Sequence, residues 1–270
     1  MNEQTGRSPS GRRSRFDKGQ RQLMRRDIDV LRLIGEQYTY RFDQLQSVLA
    51  RHPDAHAANP KQLSETRTRA AIQKWEQLGL ARSRKVLHDD PAYIWLTKNG
   101  LHHADLDVAF WEPEHGNLDH YAWINEARAA CEVHFQKKIY QDYEWESERL
   151  WRAQRERLLK AKKADSSVRI PHVYQGKHRP DAVAHYTVDN QRYAIAIEVQ
   201  ISVKTYGFYA AAWDDLVRHF ISIWYYVTPA VKRSLLAALE KWQSDEEPGY
   251  QEAPRELRDR IHVYDLKKHL

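Results

Sequence analysis

Apolar residues recur along this chain with two different periods, and the change of period divides it. Over about residues 27–37, Ile28, Leu31, Leu33 and Ile34 give the apolar face of a helix. Phe42, Leu45, Val48 and Leu49 predict a second, short helix. A polar loop with Pro53 and Pro60 follows, and Ser64 is then placed to cap a third helix whose first turn holds Glu65. Thr68, Ile72, Trp75 and Leu78 face inward on that helix, and Gly79 is a natural residue just past its end. Residues 82–87 and 92–96 flank His88-Asp89-Asp90-Pro91 and predict a β-hairpin, after which Thr97 caps a helix holding Gly100, Leu101 and Leu106. Residues 119–135 return to helical spacing, with Ile124, Ala127, Cys131 and Phe135 on one face. Ser147 is placed to cap a long charged helix reaching about Lys163.

Further on the period becomes two. Residues 182–188 predict a strand and Asp189-Asn190 a turn. The return strand, 192–201, puts Tyr193, Ile195, Ile197, Val199 and Ile201 on one face, and Ala194, Ala196, Glu198 and Gln200 on the other. A helix over 206–220, with Phe208, Ala212, Leu216 and Phe220 inward, then a strand over 222–227, a helix from Thr228-Pro229 to Trp242 and an edge strand over 260–265 complete the pattern. The class expected is α+β. Residues 1–24 are a basic, disordered tail, 25–107 a helical domain, 108–144 a connector and linking helix, and 145–270 an α/β domain.

Three helices, a hairpin and a helix are the order of a winged helix-turn-helix, in which the third helix enters the DNA major groove and the hairpin touches the backbone. Arg67, Gln73 and Lys74 point away from the core face of the third helix, Arg69 lies near its edge, and Arg82, Arg84 and Lys85 lie on the hairpin. Guanidinium and ammonium groups suit phosphate, and arginine also reads guanine edges. The blander reading makes these solvated charges, or the fold a protein-contact module.

Composition narrows the class. The chain has 270 residues, 41% hydrophobic and 30% charged, so two domains can each bury a core under a charged surface. A net charge of +6 favours a polyanionic partner such as double-stranded DNA. The N-terminal stretch carries Arg7, Arg12, Arg13, Arg15, Lys18, Arg21, Arg25 and Arg26 among Gly, Ser and Gln, which suits either a DNA-contacting arm or a solvated leader. Cys131, the single cysteine, excludes an intrachain disulfide and Cys₂His₂ or Cys₄ zinc sites. With no apolar run approaching a membrane span, the expectation is a cytoplasmic protein with no membrane partner.

The chemistry concentrates in His178-Arg179-Pro180-Asp181 and the strand ending Ile197-Glu198-Val199-Gln200. Two carboxylates separated by one hairpin, with a polar residue two places after the second, outline a PD-(D/E)XK nuclease site, with Gln200 where lysine is usual. A buried carboxylate is costly unless paired or metal-bound. Asp181 and Glu198 would be ligands of Mg²⁺, Gln200 would orient water or phosphate, and Lys204, in the first turn of the next helix, would supply the missing cation. Glu148 is a candidate accessory carboxylate. The blander alternative pairs Glu198 with an arginine or lysine and makes Asp181 a strand-start turn residue.

Taken in order, these pieces resemble the replication-relaxation proteins of bacterial plasmids and mobile elements. The resemblance rests on Trp95-Leu96-Thr97-Lys98-Asn99-Gly100-Leu101, Glu146-Ser147-Glu148-Arg149, Arg179-Pro180-Asp181-Ala182, Ala196-Ile197-Glu198-Val199-Gln200, Lys204 and Trp224-Tyr225-Tyr226-Val227-Thr228-Pro229. It implies a winged helix joined to a PD-(D/E)XK restriction-endonuclease-like domain, in proteins associated with plasmid replication or conjugative mobilisation. Replication or mobilisation proteins and a second copy of the chain are the implied partners. The family often has an acidic residue where this chain has Gln200, which weakens a two-metal site. Two functions compete: a DNA-binding protein whose nuclease-like domain is a Mg²⁺-dependent endonuclease or nickase, and a non-enzymatic DNA-binding accessory factor. A relaxase-type tyrosine at Tyr206 or Tyr209 is disfavoured because no His-hydrophobic-His motif is present, and a P-loop ATPase because no Gly-x₄-Gly-Lys-Ser/Thr segment is.

Overall fold

The computed structural model describes residues 22–55, 57–86, 90–137, 139–244 and 259–266. The basic tail through Arg21, the last residue of the first expected hairpin segment (87) and the first half of the expected turn (88–89) lie outside the described residues. Within them the chain is α+β, and no helix is long and apolar enough to cross a membrane.

The N-terminal unit starts with α1 (Arg25–Glu36), β1 (Tyr40–Arg41), α2 (Phe42–Arg51) and α3 (Glu65–Gln77). It continues with β2 (Ala81–Arg84), β3 (Tyr93–Leu96) and α4 (Lys98–His103). Strand β3 sits between β1 and β2 in an antiparallel sheet. Val30, Leu31 and Ile34 of α1, Leu45 and Leu49 of α2, Trp75 of α3, and Ile94 and Leu96 of β3 form one core. Gly79 follows α3 with φ +68°, the left-handed conformation that ends a helix at least cost with glycine. Thr97 caps α4, its side chain accepting from Gly100 N–H, whereas Ser64 precedes α3 without a side-chain cap bond.

Asp27, in the first turn of α1, is fully buried and organises the base of this unit. It accepts from Met24 N–H (2.8 Å), from Trp75 Nε1 (3.2 Å) and from Lys74 Nζ (2.5 Å). Its charge is thereby compensated by an ammonium group and two further donors, as a buried carboxylate requires.

The C-terminal unit consists of α5 (Leu118–Phe135), β4 (Gln141–Ser147), α6 (Glu148–Ala164), β5 (Ala182–Val188), β6 (Gln191–Gln200), α7 (Tyr206–His219), β7 (Ser222–Val227), α8 (Pro229–Ser244) and β8 (Ile261–Asp265). The strands form one sheet in chain order, antiparallel from β4 to β6 and parallel from β6 to β8. Asp189 and Asn190, at φ 49° and 62°, make the two-residue turn between β5 and β6, a turn that asks for positive φ at both positions.

The predicted alternation of β6 divides the core. Ile195, Ile197 and Val199 pack with Cys131 and Phe135 of α5, while Ala196 packs with Trp151 of α6 and Trp213 of α7. Cys131 is fully buried, its Sγ 3.2 Å from Tyr226 Oη, and burial pushes its thiol up to about 12. Three elements differ from expectation. Residues 141–147, read mostly as linker, form edge strand β4. The helix read as linking, α5, covers one face of the sheet. Phe208 of α7 is 45% exposed rather than inward, because the buried side of α7 is Tyr209, Ala212, Trp213 and Leu216.

The two units meet through an apolar patch of Tyr93, Leu118 and Ala122 and through a set of polar groups. Gln44 donates to Ala122 O and Glu126 Oε1, and Asn125 donates to Thr39 O. Ser147 Oγ donates to Glu36 O, and Arg149 donates to Gly35 O and Ala109 O. Tyr38, with φ 71°, stacks on Tyr121, lies under the Arg149 guanidinium and donates from its hydroxyl to Glu148 Oε2 (2.9 Å). A left-handed tyrosine costs on the order of 1 kcal/mol, which the stacking, the cation and the hydrogen bond together offset.

Candidate functional site: two carboxylates, each held by an imidazole

The pairing of Ala182 with Ile197 continues by one step to set Asp181 opposite Glu198. Asp181 enters β5 directly after Pro180. Glu198 lies near the end of β6, on the face occupied by Ala196. Asp181 Oδ2 accepts from Val199 N–H (2.7 Å), which fixes its carboxylate across the strand gap.

Two histidines complete the group. His120, in the first turn of α5, brings Nε2 to 3.0 Å from Asp181 Oδ1. His178, ahead of β5, brings Nε2 to 3.1 Å from Glu198 Oε1. The backbone of His178 is tied down in turn, its N–H donating to Asp215 Oδ2 on α7 (2.9 Å). Gly176 permits that approach: a Cβ there would lie 2.7 Å from the same Asp215 oxygen.

Burial and charge set the proton affinities. Burial pushes the Glu198 carboxyl up, and Asp181 adds to the effect; the two histidines pull the other way, leaving it at about 7. His120 and His178 are shifted upward: burial opposes their charge, but Asp181 in one case and Glu198 in the other outweigh it. Protons are therefore retained within this group near neutral pH.

The remaining expected residues are spread around it. Gln200 is buried on the Glu198 face, and its backbone oxygen accepts from Thr228 N–H. Lys204 is exposed and lies ahead of α7, not in its first turn, because the helix begins only after Thr205; its ammonium sits over the Phe208 ring at 5.9 Å. Glu148, first residue of α6, is bound by Tyr38 and lies 3.6 Å from Arg152 and 3.9 Å from Arg179. The expected lysine or arginine partner of Glu198 is thus a histidine.

The donor set was expected to take Mg²⁺. Among the described residues, no three His, Cys, Asp or Glu side chains are grouped so that they could hold a metal ion. Asp181 spends both oxygens on an amide and an imidazole, and Glu198 turns one to an imidazole. Mg²⁺ demands oxygen ligands in near-octahedral array, so this arrangement does not fit a ready-made Mg²⁺ centre.

On the N-terminal unit, Arg67 and Gln73 are exposed on α3, and Arg82, Arg84 and Lys85 are exposed on and after β2. Arg69 is exposed but bound to Glu65 (2.6 Å) and placed over the Phe42 ring. Arg82 lies 3.6 Å from Glu112. Lys74 does not project outward as expected, because Asp27 draws its ammonium into the base of the unit. Sequence reasoning missed His120 entirely, and quoted His178 without giving it a role. The signal for His178 was its place three residues before Asp181; His120 is 61 residues from its partner and has no local signal. Comparison with protein-family models, with curated proteins and with solved structures returns no match for this chain.

Proposed function

We propose that the chain is a DNA-binding accessory protein of a plasmid or mobile element, in which a winged helix is docked on a PD-(D/E)XK-like body. The observation that carries DNA binding is the joint placement of α3 and β2, with Arg67, Gln73, Arg82, Arg84 and Lys85 exposed on or beside these two elements. A helix and an adjacent strand bearing cations suit a major groove and its flanking phosphates. The association with replication or mobilisation rests on the resemblance to the replication-relaxation proteins.

A second reading, metal-dependent phosphodiester hydrolysis, is favoured by one observation: Asp181 and Glu198 oppose each other at adjacent strand ends. The accessory reading is preferred because both carboxylates are already satisfied by histidines.

Binding of duplex DNA, measured by fluorescence anisotropy across a salt series, tests the proposal. Wild type should bind with an affinity that falls steeply with salt, and Arg84→Ala/Lys85→Ala should reduce the log–log slope by about 2, one for each phosphate no longer neutralised. Salt-independent binding, or none, would sink it. Nicking of supercoiled plasmid with Mg²⁺ or Mn²⁺, abolished by Glu198→Ala, would select the hydrolytic reading.

A further inference from the structure

A second buried carboxylate–histidine pair lies on the same sheet face as Glu198, toward the other end of the strands. Glu146 of β4 and His185 of β5 are about nine-tenths buried, with side chains 10% and 9% exposed. Glu146 Oε2 is 3.0 Å from His185 Nε2, and Glu146 Oε1 accepts from the Tyr174 hydroxyl at 2.8 Å. Burial and the adjacent Glu146 hold the Tyr174 hydroxyl well above its ordinary pKa, so it remains a donor. Both carboxylate oxygens are therefore satisfied. The imidazole meets Glu146 through Nε2, so Nδ1 lies on the far side of the ring from the carboxylate.

His185 lines a cavity of about 450 Å³, within the range of small-molecule sites. Val173 and Ile221 give it apolar walls, the rings of Tyr174 and His219 give it aromatic ones, and Arg192 stands at its edge. His219 is held toward its neutral form by burial. Arg192 is bound to Glu144 at 2.8 Å, but both side chains are more than 60% exposed, and such a pair yields readily to a better anion.

Each wall specifies a part of the ligand. A carboxylate on Nε2 requires the proton there, which leaves Nδ1, on the far side of the ring, to meet a polar group of the ligand. The aromatic walls suit a flat ring, and the guanidinium suits a phosphate. We infer that this cavity binds a single nucleotide unit, its base against Tyr174 and hydrogen-bonded to His185 Nδ1, its phosphate met by Arg192. The unit comes either from a free nucleoside monophosphate or from an unpaired nucleotide of a strand. His185 is four residues from Asp181, about 13 Å along the strand, so this is a separate site from the carboxylate group above.

The test uses the full chain. The four deoxynucleoside monophosphates, and a short single-stranded oligonucleotide with and without an abasic position, are titrated while the histidine ring signals are followed by NMR. At least one monophosphate, or the oligonucleotide in a base-dependent way, should shift the His185 signals saturably. Arg192→Gln, a surface change, should weaken that binding about tenfold, and His185→Gln should abolish it. Saturation by a free monophosphate assigns a small-molecule site; saturation by the intact oligonucleotide alone assigns a strand nucleotide. Unmoved His185 signals at millimolar nucleotide, equal binding of intact and abasic strands with no response to free nucleotide, or unchanged affinity in Arg192→Gln would each overturn the inference. Arg84→Ala/Lys85→Ala should leave monophosphate binding intact, which separates this outcome from the fate of the duplex-binding proposal.

Discussion

Glu146 and Glu198 lie on one face of one sheet, both buried and both bonded to a histidine, yet their surroundings differ in sign. Glu146 has a neutral hydroxyl, Tyr174, on its second oxygen. Glu198 has a second carboxylate, Asp181, across the strand gap, and its proton affinity rises to about 7. Burial is the largest cause of that rise and Asp181 adds to it, whereas Glu146 faces a hydroxyl and an imidazole and no second carboxylate. A like charge beside a buried carboxyl thus favours a group that takes up and gives off protons near neutrality.

The sharpest way to break this comparison is to put the same substitution in both places. Glu146→Gln sets an amide N–H₂ against either the Tyr174 hydroxyl or the His185 N–H and loses an acceptor, and it should cost about 2 kcal/mol of stability in thermal or denaturant unfolding. Glu198→Gln should cost far less and at pH 8 should be neutral or stabilising, because it removes a charge that the fold disfavours. Equal losses would show that the neighbour does not matter.

The next effect is on the pH dependence. The folded chain holds the Glu198 proton up to about 7 against an ordinary 4.5, so it binds more protons than the unfolded chain between those values. His120 and His178, also shifted upward, extend that excess above their ordinary 6.5. Stability is therefore fully present below about 4.5 as far as Glu198 is concerned, and falls as pH rises through 7. Melting temperatures between pH 5 and 8 should show this decline in wild type and a flatter profile in Glu198→Gln, in which His178 has also lost its anion. A wild-type profile that rises over the same range would contradict the assignment.

A third carboxylate sharpens the contrast at smaller amplitude. Glu148 is bound by the Tyr38 phenol rather than an imidazole and is about a quarter exposed. Tyr38→Phe keeps the stacking on Tyr121 and deletes one hydrogen bond, so a loss of about 1 kcal/mol is expected by chemical denaturation. A loss several times larger would mean that the phenol does more than bond Glu148.

Some of this was legible in the sequence because it is local. The alternation from Tyr193 to Ile201 and the Asp189-Asn190 turn each follow from neighbours in the chain, and together they set Asp181 opposite Glu198. Strand β4 was hidden because it is an edge strand with an irregular register between Gln141 and Glu144, and Asp142, Glu144 and Glu146 give it the charge density of a linker. Glu146 turns inward only because His185 and Tyr174 meet it from elsewhere. Lys74 reads as an outward cation on any helical wheel, since nothing near it reveals the buried Asp27 47 residues away. Local patterns thus reported the strands and missed the partners, because a partner's position is a property of the tertiary fold.

The end of α1 carries a consequence for how the chain is assembled. A helix leaves its last carbonyls without partners inside itself. Here Gly35 O and Glu36 O are taken by Arg149 and Ser147, more than 110 residues later in the chain. During synthesis, the first helix therefore emerges before the groups that finish it exist. Its last turn stays frayed until α6 leaves the ribosome, and locking of the N-terminal unit waits on the C-terminal one. The same dependence makes the two units lose structure together, so heating the full chain should give one cooperative transition, not two.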